Sequence, residues 1–283
     1  MIKEWIEEYK PGTKEEAIQA LREIMQEIAL AGLQRTGFFE KAAFYGGTAL
    51  RIFHGLERYS EDLDFSLLAA DENFSLEPFL KGIARECAAL GLEVTVSAKE
   101  KTNKTNIDSA FLKADTIVNE IILTAVVPQE KLGMSPSIKI KIEVDKKPPL
   151  GFTTEEKLLI KPFSFYVKCF VLPDLFAGKM HALLFRKWKN NVKGRDWYDM
   201  EWYIKKGVPL NLDHLLKRAQ DSGDWKADTM SQQDFQKLLQ EKIDTVSMDA
   251  IKNDIVRFIK DESVLEIWSA NYFKDLGSKI RYL

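Results

Sequence analysis

The chain has little of the residues that build disulfide frameworks and zinc-binding domains. Its 283 residues include two cysteines and three histidines, and none of these five stands at the spacing of a zinc site. No apolar run approaches the roughly 18 residues that span a bilayer, and the first residues are acidic without the apolar core of a signal peptide. We therefore expect no disulfide scaffold, no zinc site and no membrane contact, and a cytoplasmic protein.

The chain also lacks an excess of one charge. Lysine plus arginine total 41 against 43 for aspartate plus glutamate, a formal net charge of −2. This balance gives no overall attraction to nucleic acid, so any site for a polyanion has to be a local patch. Six basic residues without an intervening acid form one such patch: Lys179, Arg186, Lys187, Lys189, Lys193 and Arg195. The patch is either a solvated helix end and loop or a phosphate-binding surface, and the motifs around it favour the second interpretation.

The pattern of apolar residues indicates a mixed fold. With 45% hydrophobic residues the chain can bury one large core or two smaller ones, and we favour two domains. Helical spacing of apolar residues predicts helices at 14–35 and 76–90, and β-branched or alternating segments predict strands at 62–67, 92–97, 116–127 and 138–144. From Pro173 onward the pattern is helical. The sequence therefore predicts an α/β (α+β) fold, with a small mixed sheet in a domain at 1–172 and a helical domain at 173–283.

The most informative segment joins a glycine turn to a pair of aspartates. Tyr45-Gly-Gly-Thr-Ala-Leu50 puts two glycines at the start of a predicted helix, where free backbone amides and the helix dipole attract phosphate. In Asp62-Leu-Asp-Phe-Ser-Leu67 polar and apolar residues alternate, so Asp62 and Asp64 share one strand face. Carboxylates about 6.6 Å apart on a strand can each reach a Mg²⁺ ion at about 2.1 Å or bridge two ions. The segment therefore predicts a site for nucleotide and metal.

A third carboxylate can come from the strand predicted at 138–144. Its isoleucines and Val144 face one side, which leaves Glu143 and Asp145 on the other side with two lysines. Spacing alone leaves both acids open as the third ligand. Alternating charges of this kind also occur on edge strands, where they oppose aggregation.

Taken in order, these segments resemble the AbiEii/AbiGii-type toxin nucleotidyltransferases, a branch of the DNA polymerase β-like superfamily. The matching segments are Tyr45-Gly-Gly-Thr-Ala-Leu50, Arg58-Tyr-Ser-Glu-Asp-Leu-Asp-Phe65, Ile140-Lys-Ile-Glu-Val144, Leu172-Pro-Asp-Leu-Phe-Ala-Gly-Lys-Met-His-Ala-Leu-Leu184 and Gly194-Arg-Asp-Trp-Tyr-Asp-Met200. The resemblance implies a polymerase β-like nucleotidyltransferase domain followed by a helical domain that completes the cleft. It also implies an enzyme that moves NMP from an NTP to an acceptor hydroxyl and releases pyrophosphate.

The resemblance further implies roles for individual residues. The metal ligands, for Mg²⁺ with Mn²⁺ as an alternative, would be Asp62, Asp64 and Glu143. The catalytic residues would be Asp62, Asp64, Glu143, Lys179 and Asp196. The nucleotide-binding residues would be Gly46, Gly47, Thr48, Arg58, Ser60 and Lys179. Thr48 has a second interpretation as a helix cap, and Arg58 and Ser60 have one as a brace for the turn.

The biological role that the resemblance implies is that of a toxin in a toxin-antitoxin or phage-defence pair. Its acceptor would be an RNA such as tRNA, and its partner a separately encoded antitoxin. One rival is a transferase for a small molecule such as an antibiotic, which would need an acidic acceptor pocket; the basic patch argues against it. A second rival is a catalytically silent nucleotide-binding or partner-binding protein, which the presence of both aspartates beside the glycine turn disfavours.

Overall fold

The computed structural model describes residues 1–99, 118–126, 137–186 and 192–283, with the backbone alone for 96–99, 118–126 and 137. Seven strands of the described chain form one mixed sheet in the order β3-β4-β5-β2-β1-β7-β6. The strands are β1 Ala42–Tyr45, β2 Asp62–Leu67, β3 Glu93–Lys99, β4 Val118–Val126, β5 Ser137–Asp145, β6 Thr154–Leu159 and β7 Phe165–Phe170. The predicted mixed sheet is confirmed, and it extends over a β6–β7 hairpin that the sequence pattern did not predict.

The helices form two groups. The helices of the first group precede β3 in the chain, and those of the second group follow β7. The first group is α1 Ile2–Glu8, α2 Lys14–Arg35, α3 Gly46–His54 and α4 Glu77–Ala89. The second group is α5 Leu172–Phe185, α6 Gly194–Lys205, α7 Leu212–Asp221, α8 Gln232–Thr245, α9 Met248–Ile255 and α10 Ala270–Gly277. Helix α2 has the predicted bounds, because Thr13 caps its first turn by accepting a hydrogen bond from the Glu16 amide.

Helices α2 and α4 pack together against one face of the sheet. Their backbones approach closely at Gly32 and Gly82, where a Cβ on Gly82 would lie 2.3 Å from the Gly32 carbonyl oxygen. The side chains of Leu63, Phe65 and other apolar residues of the sheet fill the core beneath these helices. This arrangement leaves the opposite face of β2, which carries its polar side chains, turned away from that core.

The second group of helices forms its own apolar core on the other side of the sheet. Ala43 of β1 and Leu50 of α3 belong to this core, so it is joined to the sheet next to the glycine turn. The predicted change to helical structure near 172 agrees with the start of α5 at Leu172, while the division into two domains stays a prediction. Within the described ranges, no helix is both long and apolar enough to cross a bilayer.

Candidate active site

Asp62 and Asp64 lie on β2, on the sheet face opposite α2 and α4. Leu63 and Phe65, which alternate with them, are fully buried, as the alternating pattern predicts. Strand β5 runs parallel to β2, and its register places Glu143 directly beside Asp64. Because residues paired across neighbouring strands share one face of a sheet, all three carboxylates belong to the same surface.

A cavity of about 600 Å³ opens between this sheet surface and the second group of helices. Gly46, Asp64 and Glu143 line it on the sheet side, and Lys179 of α5 and Arg218 of α7 line it on the helical side. Ligand sites for small molecules typically enclose about 300–1,000 Å³. The cavity therefore has room for a nucleotide between Asp64 and Glu143 on one wall and a helical wall that carries Lys179 and Arg218 as well as Asp174 and Asp224.

Asp145, the alternative third acid, lies two residues beyond Glu143 on β5 and beside Ser66 of β2. Its carboxylate accepts a hydrogen bond from the backbone amide of Lys147 at 3.0 Å. Burial raises the pKa of Asp145, and this hydrogen bond opposes the rise. Since Glu143 lines the cavity and Asp145 does not, the placement favours Glu143 as the third carboxylate.

Burial and the neighbouring negative charges raise the pKa of both aspartates of β2. Burial, together with the charges of Asp62 and Glu143, raises the pKa of Asp64 to about 7. Burial also raises the pKa of Asp62, while Lys141 opposes the rise and Glu143 adds to it. Like charges in a buried cluster are stabilised when a cation lies among them. The negative charges of the cluster therefore disfavour the simultaneous ionisation of Asp62 and Asp64.

The donor set of the cluster fits a divalent metal ion, because carboxylate oxygens are the ligands that Mg²⁺ prefers. The ammonium of Lys141 forms an ion pair with the Glu143 carboxylate and so supplies part of the positive charge. Among the residues that the structure describes, no three acidic, histidine or cysteine side chains already stand as a complete metal-binding group. Asp62, Asp64 and Glu143 are the residues that would hold such an ion, and in the structure Glu143 pairs with Lys141.

Gly46 and Gly47 lie where the start of α3 meets side chains of the site. Gly46 has a φ of +86°, and a Cβ there would lie 2.5 Å from Oδ2 of Asp64. A Cβ on Gly47 would lie 2.6 Å from Nη2 of Arg58 and 3.0 Å from Oγ of Ser60. A larger residue at either position would displace a neighbouring side chain of the site. The two glycines are thus needed for packing inside the site as well as for any approach of phosphate.

Thr48 and Ser60 fix α3 against the start of β2. The Thr48 hydroxyl donates to the backbone carbonyl of Asp62 and lies 2.9 Å from the hydroxyl of Ser60. The interpretation of Thr48 as a helix cap is wrong, because α3 already begins at Gly46, directly after Tyr45. Thr48 has no exposed surface. Its placement favours a bracing role for this pair, and the predicted phosphate contact of Thr48 and Ser60 stays a prediction.

Arg58 is buried and directs its guanidinium to Asp199 of α6. Nε of Arg58 donates to Oδ1 of Asp199 at 2.6 Å, and Nη2 donates to Oδ2 at 2.7 Å. Nη1 donates to the carbonyl of Tyr59 at 2.9 Å. These contacts favour the brace among the two interpretations of Arg58. Asp199 itself received no role from the sequence, although it lies one turn after Asp196 on the same side of a predicted helix.

Lys179 lies between the two acids of α6. Its Nζ is 2.8 Å from Oδ2 of Asp199 and 3.4 Å from Oδ1 of Asp196. Although burial opposes it, Arg58 and Lys179 hold the pKa of Asp199 below its usual range. Asp196 also pairs with Arg186 at 3.2 Å and does not line the cavity. Lys179 therefore lines the cavity while it forms ion pairs with Asp199 and Asp196. Asp196 itself lies outside the lining of the cavity.

The basic patch expected from Lys179 to Arg195 is divided by its surroundings. Lys187 and Lys189 lie outside the described residues. Lys179 and Arg186 form ion pairs with acids of α6, and the guanidinium of Arg195 stacks on the ring of Phe258 at 4.3 Å. The patch thus carries less free positive charge than its composition suggests.

Comparison with known proteins gives a family match over most of the chain. The model of the family described as "Nucleotidyl transferase AbiEii toxin, Type IV TA system" matches residues 28–272. Comparison with curated proteins gives no significant match.

Two crystal structures of Helicobacter pylori proteins share the fold. One is of a protein inferred to be a nucleotidyltransferase, with a TM-score of 0.51, 16% identity and coverage of 90% of each chain. The other is of JHP933, with a TM-score of 0.52, 15% identity and coverage of 92% of this chain and 90% of that one. At such low identity the two likenesses concern the fold alone.

Proposed function

We propose, because this chain belongs to the nucleotidyl transferase AbiEii toxin family, that it is a Mg²⁺-dependent enzyme that transfers NMP from an NTP to an RNA acceptor. The observation that carries the proposal is the parallel register of β2 and β5. It sets Glu143 beside Asp64 at a cavity that Gly46 and Lys179 also line. Carboxylates opposite cations and backbone amides are the groups that a metal-assisted transfer of a phosphoryl group requires.

The proposed reaction is a displacement at the α-phosphorus of the NTP. The oxygen of the acceptor hydroxyl forms a bond to this phosphorus, and the bond from the phosphorus to the bridging oxygen of the β-phosphate breaks. Pyrophosphate leaves with the electron pair of that bond, and the hydroxyl proton passes to a carboxylate of the cluster. Divalent ions held by Asp62, Asp64 and Glu143 would lower the pKa of the hydroxyl and neutralise the triphosphate.

The remaining residues would hold the reacting groups in place. The amides at the start of α3 would face phosphate oxygens, since the first amides of a helix have no intrahelical acceptor. Lys179 lines the same cavity and would contact the triphosphate while Asp196 and Asp199 orient it. Arg58, Thr48 and Ser60 would fix the glycine turn against the strand of the aspartates.

The family description supports a toxin whose effect a separate antitoxin neutralises. We propose an RNA such as tRNA as the acceptor. Arg195 supports this proposal, because its positive charge opposes the rise in the pKa of Asp62 and so lies close enough to the site to attract a polyanion. An acceptor chain bound there would place its terminal hydroxyl at the carboxylates.

The decisive experiment incubates the protein with Mg²⁺, total RNA and each NTP in turn, labelled in the α-phosphate. The wild type should transfer label to RNA with one or more NTPs. Asp64→Asn should lower the rate about 100-fold or more, because it removes charge that the site needs in the transition state. Asp228→Asn makes the same chemical change at an exposed position and should leave the rate unchanged.

The other outcomes identify the rival functions. Label that enters only small acceptors would replace RNA by a small molecule as the substrate. An absence of transfer to every acceptor, or equal transfer by the wild type and Asp64→Asn, would contradict the proposed reaction and favour a silent binding protein.

A further inference from the structure

Three cationic side chains line the helical wall of the cavity: Lys179, Arg186 and Arg218. Lys179 pairs with both acids of α6, and Arg186 pairs with Asp196. Arg218 differs from both, since it forms no ion pair with any residue that the structure describes. A cation without an acidic partner in a ligand cavity is available for an anionic ligand.

Arg218 is held in position by packing rather than by hydrogen bonds. It lies on α7, and its side chain crosses α5 at Gly178, where a Cβ would be 3.8 Å from the guanidinium carbon. Its Nε is inaccessible to solvent and has no hydrogen-bond partner. Because Nε is closed to solvent, a ligand in the cavity would reach the guanidinium through its Nη groups, from which no described residue accepts a hydrogen bond. The guanidinium is thus fixed at the cavity wall with donors left to satisfy.

The charge of Arg218 reaches the opposite wall of the cavity. It opposes the rise that burial causes in the pKa of Tyr45, whose partly buried ring lines the cavity on the sheet side. None of the carboxylates on the sheet wall lies within ion-pair distance of Arg218. A ligand with negative charge along its length could therefore bridge the space between Arg218 and the acidic cluster, provided that metal ions neutralise its other end.

We infer that Arg218 binds phosphate oxygens of the NTP, and that it contacts the triphosphate in the cavity. This inference rests on the proposed function. Guanidinium groups bind phosphate through paired hydrogen bonds, which a lysine cannot reproduce. The triphosphate is favoured over the backbone of an RNA acceptor, because Arg218 shares one cavity of nucleotide size with Asp64 and Gly46.

The test is the equilibrium binding of nucleotides, measured by isothermal titration calorimetry in Mg²⁺ without an acceptor. Arg218→Met keeps the apolar stem over Gly178 and removes the charge, and Lys217→Met makes the same change at the adjacent residue of α7. Lys217 is 52% exposed and pairs with Asp221, so it serves as the matched control. We expect Arg218→Met to weaken binding of the best NTP and of inorganic pyrophosphate about tenfold or more, and Lys217→Met to leave both unchanged.

A comparison of NTP binding with NMP binding distinguishes a direct contact of Arg218 with the triphosphate from a distortion of the cavity by the substitution. If Arg218 touches the triphosphate, Arg218→Met should weaken NTP binding much more than NMP binding, and Arg218→Lys should recover part of the loss. Equal losses for NTP and NMP would mean that the variant merely deforms the cavity, and would overturn the inference. Circular dichroism of each variant checks that the protein is folded.

The outcomes also separate this inference from the proposed function. If the wild type binds an NTP and Arg218→Met binds it equally well, the role of Arg218 is refuted while the proposed enzyme stands. Weaker binding of RNA with unchanged binding of NTP would assign Arg218 to the acceptor and would overturn the inference. If the wild type binds neither NTP nor pyrophosphate, both the inference and the proposed function fail.

Discussion

Arg58 and Asp199 are 141 positions apart in the chain and form a bidentate ion pair with both side chains almost completely buried. Arg58 precedes the strand that carries the aspartates, and Asp199 belongs to a helix of the second group. The pair also reaches the candidate site at both ends, because Arg58 packs on Gly47 and Asp199 holds Lys179. It therefore ties the glycine turn to the helical wall of the cavity.

Removal of one partner of this pair should destabilise the protein strongly. Asp199→Ala leaves the guanidinium of Arg58 buried without its counter-ion, and we expect a loss of about 3–5 kcal/mol in the free energy of unfolding. Replacement of both partners by apolar residues, in Arg58→Met with Asp199→Leu, should cost less than Asp199→Ala alone, since no buried charge is left unpaired. Urea unfolding of each variant measures these losses.

The exposed pair of Lys274 and Asp244 provides the control for this prediction. Their side chains are 34% and 55% exposed, so Asp244→Ala should cost less than about 1 kcal/mol. Equal losses of the free energy of unfolding in Asp199→Ala and Asp244→Ala would show that the buried pair stabilises the protein no more than the exposed pair does.

Gly46→Ala should inactivate the enzyme by crowding Asp64. A Cβ at this position would lie 2.5 Å from Oδ2 of Asp64, and a displacement of about 1 Å at a reacting group can cost about 100-fold in rate. We therefore expect a loss of NMP transfer of about that size. The transfer assay with labelled NTP measures it.

Gly55→Ala separates this crowding from backbone strain. Gly55 has a φ of +75°, close to that of Gly46, but a Cβ there would have no atom within 4 Å. In both variants the backbone strain of a side chain at positive φ should cost about 1–2 kcal/mol of stability. Only Gly46→Ala should lose activity. A similar loss of activity in both variants would attribute the effect to strain.

Glu143 and Asp145 should differ in their effect on the metal dependence of transfer. Glu143 stands beside Asp64 and lines the cavity, whereas Asp145 accepts a hydrogen bond from the Lys147 amide outside it. Glu143→Gln should lower the rate about 100-fold or more and raise the Mg²⁺ concentration needed for half the maximal rate. Asp145→Asn should change both quantities less than about threefold. The reverse order would make Asp145 the third ligand.

The elements with a strong local signal could be predicted from the sequence. Helix α2 combines regular apolar spacing with a Thr13 cap, and its predicted bounds are those observed. The β6–β7 hairpin has no such signal, because β6 is an edge strand whose side chains are mostly only partly buried. An edge strand can keep charged residues at many positions, so its pattern does not separate it from a loop.

In the candidate site too, the residues with a local sequence signal could be predicted and the others could not. The glycine turn and the two aspartates lie within 19 residues, so their spacing alone brings them together on a turn and a strand. The partner of Arg58 and the free guanidinium of Arg218 depend on how the helices pack against the sheet. Packing of distant segments has no local pattern, and the roles of these residues could not be predicted from the sequence.

Glu27 of α2 lies away from the candidate site. Its ionisation should make the free energy of unfolding depend on pH. Burial, with the charge of Glu23 adding to it and Lys161 opposing it, raises the pKa of Glu27 from 4.5 to about 7. The folded protein therefore binds this proton more tightly than the unfolded chain does. The stability that the protonated carboxyl contributes is complete below pH 4.5 and is lost as the pH rises to about 7.

Glu27→Gln should therefore stabilise the protein at pH 8 and have its smallest effect at pH 4.5, because glutamine stays neutral at both values. One pKa unit corresponds to about 1.4 kcal/mol, so the gain at high pH has an upper bound of about 3.5 kcal/mol. Thermal unfolding over this pH range, followed by circular dichroism, gives the difference in Tm. Glu241→Gln, at an exposed position of α8, should show no such trend. A difference between Glu27→Gln and the wild type that does not grow with pH would show that Glu27 is ionised in the folded protein at the same pH as in the unfolded chain.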